Sequence, residues 1–202
     1  MATAESVKAK IQGLITTANA TTGSSDTDLT TAVNALVSGY GQGGGDSDDV
    51  LNALIARSSS LTSITTDAVS FGTYAFFGCL KLETIDARKV QSISNAALDS
   101  CQSMMTLILR ANAVATLNDT SFLGNSHHFK GTANSTYNPN GYKDGLIFVR
   151  SSKLDSYKTA TNWSVFAACF RALQDYTVDG TTTGELDMVK VQAERDRING
   201  GT

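Results

Sequence analysis

The chain is organised around a degenerate internal repeat of about 22 residues. The first copy reads SLTSITTDAVSFGTYAFFGC and ends at Cys79; the second reads KLETIDARKVQSISNAALDSC and ends at Cys101. A looser third copy, SMMTLILRANAVATLNDTSFLGN, ends at Asn125. Apolar positions recur through all three. Leu61, Leu82 and Met104 open the units, and Ile64, Ile85 and Leu107 follow three residues later. Val69, Val90 and Val114 come next, then Phe71, Ile93 and Leu117. Each unit closes with Ala75-Phe76, Ala97-Leu98 or Ser121-Phe122. One such unit cannot bury its own apolar edge. Units set side by side can, with equivalent residues in contact at roughly 4.8 Å per layer where strands pair. The spacing therefore predicts strands of a parallel sheet around Ile64, Ile85 and Leu107-Leu109, with turns or short helical returns at the Ala-Phe-Phe-Gly segments. Such an array offers a long surface more readily than a catalytic pocket, and both of its ends need cover.

The pattern L-x-x-I…V-x-x-I…A-F-x-G-C resembles the BspA-type leucine-rich repeat of bacterial surface proteins and phage structural proteins. The segments LILRANAVATL and LIFVRSSKLDSYKTATNWSVFAACFRAL resemble the closing end of such arrays in phage tail-associated proteins. The resemblance covers roughly residues 50–178. It implies a strand at Phe148-Val149, a first helix with Leu154 and Tyr157, and a second helix with Trp163, Phe166 and Phe170. Arg150 departs from it, since a proline usually follows that strand in the family.

Residues 1–40 read as a helical attachment or oligomerisation segment. Val7, Ile11, Leu14 and Ala18 form one helical stripe, and Leu29, Val33, Leu36 and Tyr40 another, separated by NATTGSSD. Two helices with one narrow apolar face each bury little surface alone, so this hairpin is expected to oligomerise or dock. It resembles a short module at the N-termini of phage tail and fibre-like proteins. Residues 41–49 (GQGGGDSDD) form a Gly/Asp linker. Residues 50–178 form the repeat domain with capping helices, and Val50, Leu51, Leu54 and Ile55 are expected to cover its first layer. Residues 126–145 read as a long polar loop. Residues 179–202 are a C-terminal tail whose weakly helical part, Leu186 to Ile198, carries Glu194, Arg195, Asp196 and Arg197 on a solvated face. That tail is expected to order only against a partner. The expected fold class is thus α+β: an N-terminal helical hairpin, a Gly-rich linker, and a short leucine-rich-repeat β-solenoid with a C-terminal helical cap.

Composition narrows the function. Apolar residues make up 41% of the 202, charged ones only 17%, and the net charge is −3. There is no basic footprint for nucleic acid. No run approaches 18 apolar residues and the N-terminus has no apolar signal-like segment, so neither membrane insertion nor a secretory leader is expected. The expectation is assembly in a host cytoplasm and residence in a virion.

Motifs that carry chemistry are missing their partners. His127-His128 has no Cys, Asp or Glu at zinc-like spacing and reads as a surface loop pair. Asp46-Ser47-Asp48-Asp49 lacks the Gly and Glu of a calcium loop, and GQGGG lacks the Lys and Ser or Thr of a phosphate loop. Asn118, Asn134 and Asn162 begin glycosylation sequons, chance matches in a chain without a leader. Cys79 and Cys101 hold equivalent places in neighbouring units. Their spacing permits a disulfide, but stacked parallel side chains favour two buried free thiols. Cys169 reads as core. No catalytic residue, metal site or cofactor is expected, and the chain does not read as an enzyme.

Aromatic residues are the candidates for binding. Tyr74, Phe77, Tyr137 and Tyr142, with Asn134 and Asn140 nearby in sequence, suit sugar stacking with hydrogen bonding or a protein interface. Phe76 and Trp163 read as core. The resemblances point to a bacteriophage virion structural protein of the tail-tip, fibre or head-fibre type. It would contact other virion proteins through residues 1–40 and a host cell-surface glycan or protein through the array, as a homo-oligomer with a trimer favoured by analogy with fibres. A bacterial cell-surface adhesin or a protein-interaction scaffold is the alternative. Light scattering on the full chain and on a chain shortened to begin at Asp46 tests the assembly role. A trimer that becomes a monomer on shortening is the expected outcome; equal masses would remove that role from residues 1–40.

Overall fold

The computed structural model describes residues 61–119, 126–131, 136 and 138–200. The expected helical hairpin, the Gly/Asp linker, Val50 to Ile55, Ser121-Phe122, Asn134 and Tyr137 lie outside the described residues. Each repeat unit contributes two short strands. The first gives β1 (Ser63–Thr66) and β2 (Ser70–Phe71), the second β3 (Thr84–Ala87) and β4 (Ser92–Ile93), the third β5 (Thr106–Leu109) and β6 (Thr116–Leu117). Beyond the repeats come the short helix α1 (His127–Lys130), β7 (Leu146–Val149), α2 (Leu154–Thr159), β8 (Phe170–Ala172) and α3 (Met188–Ile198). The strands form two parallel sheets, of order β1-β3-β5-β7-β8 and β2-β4-β6.

The register follows the repeat. Ile64 pairs with Ile85, Ile85 with Leu107, and Leu107 with Ile147; Phe71 pairs with Ile93 and Ile93 with Leu117. All of these are buried in one core between the sheets. Ala68, rather than Val69, is the buried residue leading into β2, and Val69 points outward.

The turn that returns each unit to the next also repeats. Tyr74 (φ 62) and Ala96 (φ 52) adopt left-handed backbone at equivalent positions, and so do Gly78 (φ 75) and Ser100 (φ 62). The conformation closes local bonds such as Phe77 N to Tyr74 O and Asp99 N to Ala96 O. It also lets the turns of adjacent units pair, with Phe76 N donating to Ala97 O and Gly78 N to Asp99 O. Only at Gly78 does the residue type match the geometry.

The expected β-solenoid with a helical cap is corrected: the fold is a parallel α/β arrangement of two sheets with few helices. Two findings make the difference. First, the larger sheet does not stop where the repeat stops. Segments with no repeat character supply β7 and β8, which pair with β5 and with each other. Second, the larger sheet is covered on its second face. β1 and β3 alternate between buried and wetter positions, but every residue of β5 and β7 is buried. Ile108, Leu146 and Phe148 form a second core with Leu173 and with Val191 of α3. The tail expected to order only against a partner thus packs on the chain's own sheet.

The expected second helix is also different. Trp163–Cys169 is a pair of 3-10 turns kinked at Phe166, and Phe170 starts a strand. The open edge of β7 offers backbone groups that Phe170 to Ala172 satisfy, and pairing there overrides helical continuation. The smaller sheet ends otherwise. The Tyr157 hydroxyl accepts from Ala115 N (2.9 Å), Trp163 Nε1 donates to Ala115 O (2.7 Å), and Asn162 Nδ2 donates to Leu117 O (2.7 Å). Side chains replace a fourth strand. Arg150 likewise donates from Nε to Arg110 O (2.6 Å), just past the end of β5.

Replacing Ala96 by glycine removes the left-handed penalty at a turn whose bonds do not involve the side chain. The expected outcome is a gain of about 0.5–1 kcal/mol, the left-handed cost less glycine's extra chain entropy, read from the urea midpoint at constant m-value.

Candidate interaction surface

Four of the exposed large apolar side chains lie in the first unit and at the residue that follows it; Tyr142, Val165, Val178, Met188 and Val189 are exposed elsewhere. Val69 is 37% exposed, Tyr74 54%, Phe77 41% and Leu80 41%. The left-handed turn at Tyr74 throws its ring outward, where it meets Phe77 edge-on at 5.4 Å between centroids and 85° between planes. The unit framework does not require apolar residues at these places. Carrying the pairing of Ser70 with Ser92 along the turn sets Val69, Tyr74, Phe77 and Leu80 against Gln91, Ala96, Asp99 and Gln102. The second unit is polar or small at all four, and it makes the same turn. Exposed apolar residues, two of them aromatic rings in contact, at places where the second unit does without them make this turn the candidate interaction surface.

The sequence-predicted site residues separate. Tyr74 and Phe77 are together, as partners in one ring contact. Tyr142 and Asn140 are exposed on a different segment. There Asn138, buried, clamps the turn by accepting from Tyr142 N (2.9 Å) and donating to Tyr142 O (2.7 Å). Asn134 and Tyr137 fall outside the described residues. Val69 was missed as a surface residue because apolar periodicity alone assigns it inward, and Leu80 because it falls between two units. Comparing each unit with its neighbour at a spacing of 22 carries the signal, since both stand opposite glutamine.

The polar loop of residues 126–145 is built around a buried pair. His128 is buried rather than on the surface, and its Nδ1 donates to Asp144 Oδ1 at 2.6 Å. Asn199 donates to Asp144 Oδ2 (3.0 Å). Arg195, expected on a solvated face, is buried and donates to Thr106 Oγ1 (2.7 Å), Met105 O (3.2 Å) and Asp144 O (3.4 Å). The network joins the loop, the start of β7 and the last turn of α3. Burial by itself raises the Asp144 pKa, but the bonds from His128 and Asn199 together outweigh it and hold the carboxyl below its usual value. Gly145 completes the site: a Cβ there would come within 2.7 Å of the Phe129 ring.

Little of this arrangement is directed at a substrate. Ser126 donates to Cys101 O (2.9 Å). None of the three cysteines is in a disulfide, and all three are buried. The adjoining Cys79 thiol and then burial push Cys101 well up, and burial pushes Cys169 up, so neither is poised as a thiolate near neutral pH. Among the described residues, no cluster of three His, Cys, Asp or Glu side chains could hold a metal ion, and no helix is long and apolar enough to cross a membrane. A shallow concavity lined by Asp175, Tyr176, Lys190, Ala193, Glu194 and Arg197 already has its own anion in place. Glu194 bonds Arg171 (2.6 Å) and Arg197 (2.8 Å). The Arg197 guanidinium, with Arg171 beside it, outweighs partial burial and holds the Glu194 carboxyl down to about 2. No protein-family model matches the chain, and neither a curated protein nor a solved structure matches it.

Asp144 and Glu194 both anchor α3, and both pKa values are depressed in the fold. Their stabilisation is fully present above the ordinary carboxylate range, near 4, and is lost as pH falls through the folded values. The melting temperature should hold between pH 7 and 5 and fall between about pH 4.5 and 2. Glu194→Gln should melt lower at pH 7 with a shallower acid decline, as read by calorimetry across that range.

Proposed function

We propose that this chain is a non-enzymatic structural protein of a bacteriophage particle, and that its first repeat unit presents an apolar recognition surface to the host cell. The observation that carries the recognition role is the exposed quartet Val69, Tyr74, Phe77 and Leu80, set where the neighbouring unit has Gln91, Ala96, Asp99 and Gln102. Aromatic anchors that stand out of a rigid framework bind at small entropic cost, because their rings are already ordered. The framework is rigid here in a specific sense. The turns of the first two units bond each other, and both cores are filled with buried apolar side chains. A sparsely charged surface leaves shape and apolar contact, rather than long-range steering, to select the partner.

The phage attribution rests on the resemblance of residues 50–178 to phage structural arrays and of the N-terminal segment to tail and fibre modules. In this reading residues 1–40 hold the protein to other virion components, and the partner at the quartet is a host-surface glycan or protein. Antibodies to the purified protein should label particles of the phage that encodes it; particles that never label would end the virion reading. The surface itself is tested by competition. Purified protein should block adsorption of the phage to its host, and Tyr74→Ala with Phe77→Ala should weaken that block at least ~10-fold with unchanged circular dichroism, as loss of two aromatic anchors implies.

A further inference from the structure

A concavity of about 410 Å³ lies between α3 and the 3-10 turn Leu173–Tyr176. Lys190, Ala193, Glu194 and Arg197 recur three and four residues apart, so α3 presents them on one side, over Asp175 and Tyr176. The adjoining stripe carries the buried Val191 and Arg195, which fasten the helix to the sheet. Asp187 N donates to Tyr176 O (2.7 Å) and ties the turn to the start of the helix. Arg171 Nε donates to Glu194 Oε1 (2.6 Å) and ties the helix to β8. The walls are therefore fixed by the fold itself.

The lining is mixed in charge. Asp175 and Glu194 are carboxylates, Lys190 and Arg197 are cations, and just behind them Asp187 and Arg171 add one of each. An entering anion would meet Asp175 and Glu194, and an entering cation Lys190 and Arg197, so the site as a whole draws in neither sign. Its apolar part is the Tyr176 ring with the Ala193 methyl; Phe148 props the ring from the core at 5.3 Å and 60°. Burial, with Glu194 beside it, pushes the Tyr176 phenol up, so it stays a neutral hydroxyl. Asp175 and Lys190 stand exposed at the rim. A neutral ligand rich in hydroxyls fits this set. Each hydroxyl both donates and accepts, so it uses carboxylate acceptors and Lys or Arg donors together. The C–H face of a sugar ring is apolar and lies against an aromatic side chain. The volume is toward the small end for ligand sites and suits one or two sugar units. We propose that this concavity is a binding subsite for an uncharged pyranose, with Tyr176 as the platform, Asp175 accepting from its hydroxyls, and Lys190 and Arg197 donating to them. The inference stands independently of the proposed function, which places recognition at the first repeat unit.

The test is an NMR titration of the full, isotope-labelled chain with methyl α-D-mannopyranoside, methyl β-D-galactopyranoside and N-acetyl-D-glucosamine. N-acetylneuraminate and D-glucosamine serve as anionic and cationic comparators. At least one neutral sugar should bind with a Kd of about 1–10 mM, the range for a ligand of about a dozen heavy atoms in an open site. The amides that move should be those of residues 175–176 and 190–197. Asp175→Ala with Lys190→Ala should weaken that binding at least ~5-fold with an unchanged melting temperature, since both side chains stand at the exposed rim. Tyr176→Phe should keep it, because the ring remains. No response to any of the three neutral sugars up to ~50 mM would overturn the proposal. Tighter binding of either charged comparator would overturn the assignment to an uncharged ligand. Shifts confined to residues 69–80 would overturn the placement, by assigning the sugar to the first unit. If Tyr74→Ala with Phe77→Ala abolishes blocking of adsorption but leaves this titration unchanged, the two sites are separate, as expected.

Discussion

Parallel pairing in strict register is the constraint on which the rest depends. The column Ile64, Ile85, Leu107, Ile147 is continuous across four strands. Each member buries the next, so a slip of one residue would turn the whole apolar set of a strand to the wrong face. The register is held from outside the strands as well. Left-handed turns at Tyr74 and Ala96 bring the return segments close enough to bond each other, and the thiol of Cys101 donates to Phe76 O across the same gap (3.0 Å). A turn conformation that costs energy in isolation is retained because it fixes the spacing between units.

The second face of the larger sheet follows from where the repeat ends. While the repeat lasts, that face carries Thr84 and Asp86, and it tolerates water. Once β5 and β7 bring Ile108, Leu146 and Phe148 to the same face, it must be covered, and Leu173 and Val191 do this. The polar groups at the margin are then matched one by one. Arg110 bonds both oxygens of Asp86 (2.7 and 2.9 Å) and the carbonyl of Thr182 (2.7 Å), while Arg195 takes Thr106 and Asp144. Buried charges of this kind add little net stability, but removing one partner strands the other. Their effect is to fix where the C-terminal segment lies.

The same pairing logic separates framework from surface. The columns Ile64, Ile85, Leu107 and Phe71, Ile93, Leu117 are apolar in all three units, and the turn keeps its shape whether it carries Tyr74 or Ala96. Side chains that point outward are free to differ between units. The apolar quartet of the first unit is therefore a choice that folding does not demand, and this is why it supports a recognition role.

Much of the fold was legible in the repeat itself. The first strand of each unit, its parallel pairing, the buried Ile and Leu columns and the buried thiols follow from period and residue type, because each unit meets a near copy of itself. Tyr74 and Phe77 were legible as surface aromatics for the same reason. What lay outside the repeat was decided by tertiary contact. Whether Phe170 continued a helix or began a strand depended on the open edge of β7. Whether Arg195 was solvated depended on a backbone carbonyl 51 residues away in sequence and on a threonine 89 residues away. Whether His128 was a surface residue depended on Asp144 reaching it across a loop. A periodic sequence determines contacts between like units, since the partner is written into the pattern. Contacts between unlike segments carry no such pattern, and only the folded chain selects them, by the burial and hydrogen bonding they jointly satisfy.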